Sequence, residues 1–168
     1  MDVEHSRIRQ RAFSLTWEPS EGAMGVKSAD EVQCFEFDWL ASDVDGHVAL
    51  FSTAGGGFAP EAFLRDTDAH DAAIDVLLGS PASTRVRFAP QLGAGLRNTW
   101  LLMAERGLYT FDSDPHGAPY RLVAAPERPV RIADLPPSVG TVARQVFLPH
   151  LRLSLLQEIS KEMLERNR

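Results

Sequence analysis

Residues 35–60 read FEFDWLASDVDGHVALFSTAGGGFAP, and this stretch decides the fold. Residues 34–40 carry Phe35, Phe37 and Trp39 at period two, which sets the three rings on one face of a strand. Residues 47–53 form a second apolar run. Between them Val44, Asp45 and Gly46 have the chemistry of a tight type I′ turn, because an Asp-Gly step supplies the positive φ such turns need. The two runs are therefore predicted to pair as a β-hairpin with Trp39 in the core. The glycines Gly55, Gly56 and Gly57 follow, and then Pro60, which fits the first turn of a helix.

Outward from the hairpin the pattern changes period. Ala62, Phe63, Ala69, Ala73, Ile74, Val76, Leu77 and Leu78 predict a helical apolar face ending at Gly79 and Pro81, with a bend or restart near Thr67 or Asp68. Residues 85–88 read as strand or loop. Residues 99–106 predict a short helix stopped by Gly107, and residues 108–111 and 120–124 predict a second antiparallel pair. The proline-rich stretch 126–137 leaves room for a short edge strand at 130–132. Residues 137–146 predict a helix, 150–154 a last strand with Leu151 and Leu153 inward, and 155–166 a final helix carrying Glu158/Lys161 and Glu162/Arg166 pairs. Upstream, residues 11–17 alternate like a short strand inside an otherwise irregular segment 1–30. Hairpins followed by helices, without a regular βαβ rhythm, predict an α+β fold. The expected architecture is a mostly antiparallel sheet of hairpins with helices packed on it, in a single domain over 31–168.

Composition limits the functional classes. The 168 residues suit one domain with a sizeable core. No apolar run approaches the ~20 residues of a membrane span, and the start lacks the apolar stretch of a secretory signal. A single cysteine, Cys34, excludes an internal disulfide framework and a cysteine-rich zinc site. These features point to the cytoplasm. Net charge is −6 and the basic residues are dispersed, which disfavours nucleic acid and suits a basic protein partner.

Several residue clusters are candidates for chemistry. Thr53, Gly55, Gly56, Gly57 and Phe58 lie between a strand and a helix, where phosphate loops sit. Neither GxxxxGK[ST] nor GxGxxG is present, so the loop reads as a positive-φ connection, a ligand or anion contact, or a protein-contact loop. Asp43 and Asp45 resemble the opening of a calcium loop, but His47, Val48 and Ala54 stand where it needs a ligand, glycine and glutamate. Asp66, Asp68, His70, Asp71 and Asp75 share one helical stretch, as a solvated acidic face or a docking face for a basic partner. No metal and no cofactor is expected. Asp38, Asp43 and His47 could pair across the hairpin as acid and base. No GxSxG elbow occurs, and Cys34 is expected as a buried small hydrophobe. Trp17, Trp39 and Trp100 are expected in the core.

The run from Asp38 to Gly57 with Pro60, together with Tyr120-Arg121 and 133–136 (ADLP), resembles a family of uncharacterised bacterial proteins. These share an aromatic strand, a DxDG turn and a TAG- or TGG-type glycine loop; Leu40 stands where an aromatic would be expected. Some members are suspected immunity or toxin-neighbourhood proteins. The resemblance implies no agreed catalytic residue. The expected function is a cytoplasmic protein-binding module, of the immunity-inhibitor or accessory kind. The alternatives are a ligand- or anion-binding regulatory domain at Gly55, Gly56 and Gly57, and a hydrolase using Asp38, Asp43 and His47.

Overall fold

The hairpin forms the middle of the sheet in the computed structural model, which describes residues 25–93 and 98–166. Strand β1 (Asp38–Asp43) pairs antiparallel with β2 (Val48–Ser52), and Trp39 faces Phe51 across the ladder. The turn differs in type from the expectation. Asp43 N–H donates to His47 O and Gly46 N–H donates to Asp43 O, each at 3.0 Å. That is a three-residue loop closed by Gly46 at φ +78°, not a two-residue type I′ turn. The Asp43 carboxylate explains the choice: Oδ1 accepts the N–H groups of Asp45 and His47, and Oδ2 accepts that of Leu153.

The aromatic run enters the sheet later than the spacing suggests. Cys34 has φ +68°, so the backbone kinks before Phe35, which is 60% exposed. Phe37 is half-buried against the core and Trp39 is fully buried. Cys34 itself is exposed, contrary to its expected burial, because its N–H is drawn to the carbonyl of Gly55 at the rim of the glycine loop.

The remaining elements are α1 (Ala29–Val32), α2 (Glu61–Leu64), α3 (Thr67–Gly79), β3 (Val86–Phe88), α4 (Thr99–Ala104), β4 (Tyr109–Asp112) and β5 (Tyr120–Pro126). They are followed by α5 (Pro137–Gln145), β6 (Phe147–Leu148), β7 (Glu158–Ile159) and α6 (Lys161–Glu165). Strand order is β3-β5-β4-β2-β1-β6, with β7 also on β5. The fold is α+β, and both expected hairpins form, since β4 and β5 pair antiparallel. They are joined in parallel, β2 to β4, and β6 joins β1 in parallel, so the sheet is mixed. The cause is the long path through α2, α3, β3 and α4, which returns the chain to the sheet in its original direction.

Both faces of the central strands are covered, which is why β1 and β2 are buried at nearly every position. One face stacks Trp39, Phe51 and Phe111 and is closed by Phe63, Leu153, Ile159 and Leu164. Trp39 and Phe51 stack at 4.1 Å between centroids, and the Trp39 indole N–H donates to the Tyr120 hydroxyl. The other face sets Leu40, Leu50 and Leu108 against Ile74 and Leu77 of α3, Met103 of α4, and Val139 and Ala143 of α5.

Three expectations at the C-terminal end are corrected. At 130–132 only Arg131 bridges to the sheet, opposite His47, and a 3-10 turn, Ile132–Asp134, follows. At 150–154 Leu151 and Leu153 are buried as expected, but a 3-10 turn, Leu153–Leu155, replaces the strand. The long helix from 155 does not form: Leu155 is 74% exposed, and Glu158 and Ile159 pair with β5. Ser160 then caps the short α6. Glu158 accordingly meets Arg121, and Lys161 meets Glu165. The helix break is found where expected, with Asp66 capping α3. The strand expected at 11–17, with Trp17, lies outside the described residues. At the boundary of the segment expected to be irregular, Ser28 and Glu31 form a capping box that starts α1. Among the described residues no helix is long and apolar enough to cross a membrane.

Candidate functional site

The glycine loop is built around one threonine. The backbone carbonyl of Thr53 accepts the N–H of Gly56 at 3.0 Å and of Gly57 at 2.7 Å. Its hydroxyl oxygen accepts the N–H of Phe37 at 2.9 Å and of Gly55 at 3.4 Å. The three glycine amides therefore turn inward. Close packing supplies the need for glycine: a Cβ at Gly56 would stand 2.5 Å from the carbonyl oxygen of Pro115, and one at Gly57 2.7 Å from the Tyr120 hydroxyl. Ala54 and Gly55 take positive φ to make the turn. The outer side of the loop borders a groove of about 600 Å³, which also meets Val32, Phe58, Tyr120 and Lys161. The Lys161 ammonium lies 5.6 Å from the centre of the Phe58 ring.

One residue before Thr53, the sheet carries a row of polar side chains. Asp38, Ser52 and Asp112 are direct neighbours on β1, β2 and β4. The Ser52 hydroxyl donates to Asp38 Oδ1 at 2.5 Å and lies 3.3 Å from Glu36 Oε1. Beside them a cavity of about 140 Å³ is lined by Glu36, Asp38, Leu50, Ser52, Leu92, Thr99 and Trp100. Burial pushes the Asp38 carboxyl up to about 6; the Ser52 hydrogen bond opposes this, and the charges of Glu36, Asp71 and Asp112 add to it. Asp112 is likewise pushed up to about 6, by burial and then by Glu36. Its Oδ1 is buried without a hydrogen-bond partner among the described residues. Negative charge is thus concentrated at this end of the sheet.

The structure gathers most of the candidate residues at this end. Thr53, Gly55, Gly56, Gly57 and Phe58 continue from β2, and Asp71 is close enough for its charge to act on Asp38. Asp66 is occupied as the cap of α3, accepting the N–H of Ala69 at 3.0 Å. Asp68 is exposed on the first turn. Asp43, Asp45 and His47 stand at the opposite end of the hairpin. Asp38 and Asp43 stand five residue steps apart along β1, about 16 Å, so Asp38, Asp43 and His47 are not brought together as an acid–base set. The ligand atoms of Asp43, Asp45 and His47 do lie within 4.8 Å of one another. The two carboxylates are engaged inside the chain, since Asp43 accepts three backbone N–H groups and Asp45 is paired with the Arg152 guanidinium, while His47 Nδ1 is buried without a hydrogen-bond partner among the described residues.

Sequence reasoning missed Glu36, Ser52, Asp112 and Trp100 as members of one site. Asp112 follows an aromatic strand with no local motif, and only the parallel pairing of β4 with β2 places it beside Ser52. Trp100, expected in the core, is half-buried on α4 and lines the cavity. No family model, curated protein or solved structure matches the chain.

Proposed function

We propose that this chain is a protein-binding module that receives a cationic side chain of its partner at the acidic end of the sheet, as an immunity-type inhibitor or accessory interaction protein would. The observation that carries the reading is the pair Asp38 and Asp112, flanking Ser52 on the neighbouring strands and both held at about 6, with Asp38 lining a cavity walled by Trp100. A cavity of about 140 Å³ is below the ~300–1,000 Å³ typical of small-molecule sites and suits one side-chain head group. An arginine or lysine head there would neutralise the carboxylates and meet the indole face. The acidic surface around it, with Asp68 and Asp71 on α3 and the loop Thr53, Gly55, Gly56, Gly57 and Phe58, would steer and seat the rest of the partner. The partner on this reading is a basic protein rather than a nucleic acid, met in a bacterial cytoplasm.

The test uses the purified product of the neighbouring gene and, as a probe, an arginine-rich peptide with its citrulline counterpart. The reading expects the arginine peptide to bind at least about tenfold tighter, the preference to fall in the Asp38→Asn/Asp112→Asn variant, and salt to weaken it. Equal binding of the two peptides, or full binding by the double variant, overturns it.

A second reading is favoured by the larger groove, whose volume of about 600 Å³ falls in the range of small-ligand sites. With the glycine amides turned toward Thr53, Lys161 would be the cation for an anionic ligand in this regulatory-domain reading. Loss of ligand-induced thermal stabilisation in Lys161→Ala, with Asp38→Asn/Asp112→Asn unaffected, would favour it over the first.

A further inference from the structure

Strand β1 is covered along its outer edge by β6 only at Ser42 and Asp43. There the Ser42 N–H donates to the carbonyl of Val146 at 3.0 Å. Two residues earlier, where β6 has not reached, the Leu40 N–H points the same way and donates to Nδ1 of His70 at 3.0 Å. An imidazole from α3 thus stands in for the missing strand carbonyl. With Nδ1 accepting, the ring proton sits on Nε2, which is buried without a hydrogen-bond partner among the described residues. The ring is wholly buried and meets Phe63 of α2 edge-on at 5.1 Å.

We propose that His70 is an acid-sensitive latch that fastens the first turns of α3 to the open edge of β1 and releases them on protonation. An imidazolium has no lone pair for the Leu40 N–H, so two donors would face each other in a dry site. The groups around the ring offer little relief. Asp66, one turn earlier on α3, is the charge whose field favours protonation, and it is committed to capping the helix. From β1 and α2 the ring meets a backbone N–H and a phenyl group, neither of which titrates. Burial holds the ring's titration down to about 4 while the latch is closed. In the released state the ring recovers its ordinary titration near 6.5, so each pH unit between those values favours release about tenfold, or about 300-fold over the window. Because α3 carries Asp68 and Asp71, release would also loosen one wall of the acidic end. That consequence rests on the proposed function; the latch does not.

The experiment is amide hydrogen exchange by NMR on the full chain, corrected for intrinsic pH dependence, with imidazole ¹⁵N shifts read on the same sample. The expected result is an Nε2–H tautomer, with Leu40 and the first turn of α3 losing at least tenfold in protection on acidification through this window while β2 and β4 hold. In His70→Gln, whose amide carbonyl can accept the Leu40 N–H but cannot titrate, the loss should vanish. An Nδ1–H tautomer, unchanged Leu40 protection on acidification, or the same loss in His70→Gln overturns the latch. The tautomer and wild-type exchange decide the matter even if the variant does not fold.

Discussion

Trp39 is the residue on which the aromatic face is assembled. It stacks on Phe51, meets Phe63 and Tyr120, and satisfies its one polar atom through the Tyr120 hydroxyl. Truncation to alanine should therefore cost about 3–5 kcal/mol, read as a lower denaturant midpoint at unchanged slope. Gly46 and Gly56 make a sharper pair. Gly46 has positive φ and open space where a Cβ would go, so Gly46→Ala should cost about 1 kcal/mol from backbone strain alone. At Gly56 the Cβ would collide with backbone of 114–115, and Gly56→Ala should cost more, about 2–3 kcal/mol. Equal costs at the two sites in chemical denaturation would show that the loop yields and the close approach is not needed. These roles were partly legible in the residues: Asp-Gly announces a turn, but the type followed from the Asp43 carboxylate, whose third partner, Leu153, is 110 residues away.

At the scale of elements, most helices and strands appear where periodicity put them, and the misplacements share one cause. A side-chain stripe reports which residues are buried, not which neighbour buries them. Ile159 and Leu164 are both buried, as the stripe over 155–166 required, yet one sits in β7 and the other in α6, because the edge of β5 offers backbone partners near Tyr120 and Arg121. Helix α3 ends at Gly79, as the local sequence predicts, but its last carbonyls are taken up through a contact that no local pattern reveals. The Arg106 guanidinium donates from Nε to Leu77 O at 2.5 Å and from Nη2 to Leu78 O at 2.9 Å, taking up carbonyls of the last turn, and from Nη1 to Leu102 O. Arg106→Met, which keeps most of the stem, should destabilise the protein by about 1–3 kcal/mol through those carbonyls. Exchange protection should fall first in the last turn of α3 and in α4, and a loss spread evenly over the sheet would refute this local role.

For the molecule as a whole, the buried titratable groups pull stability in opposite directions with pH. Asp38 and Asp112 titrate at about 6 in the folded chain, above their unfolded values, so the folded state binds more protons between about 4 and 6. Their contribution grows as pH falls through 6. His70 titrates at about 4 when folded and near 6.5 when unfolded, so its neutral form contributes stability that is lost as pH falls through the same window. The two effects offset each other, and the denaturant midpoint should change little between about pH 7 and 5. The double variant Asp38→Asn/Asp112→Asn removes one side of the balance. It should raise the midpoint at neutral pH and convert the flat region into a steady decline on acidification. A double variant whose midpoint falls at neutral pH, or whose profile stays flat, would show that these carboxyls are already compensated in the folded chain.

By itself the sequence determined the α+β class, both hairpins, the break before α3 and the place of Trp39 in the core, because period, turn residues and helix caps act over a few residues each. It also named the glycine loop and the acidic start of α3. Only the tertiary structure decided that β2 and β4 run parallel, and that pairing sets Asp112 beside Ser52, in one row with Asp38. The same holds for the imidazole of His70, which completes the edge of β1 where β6 stops short. Register between distant strands, and the hydrogen-bond partner of a buried edge, are settled by how the faces pack together. A chain carries no short-range record of either.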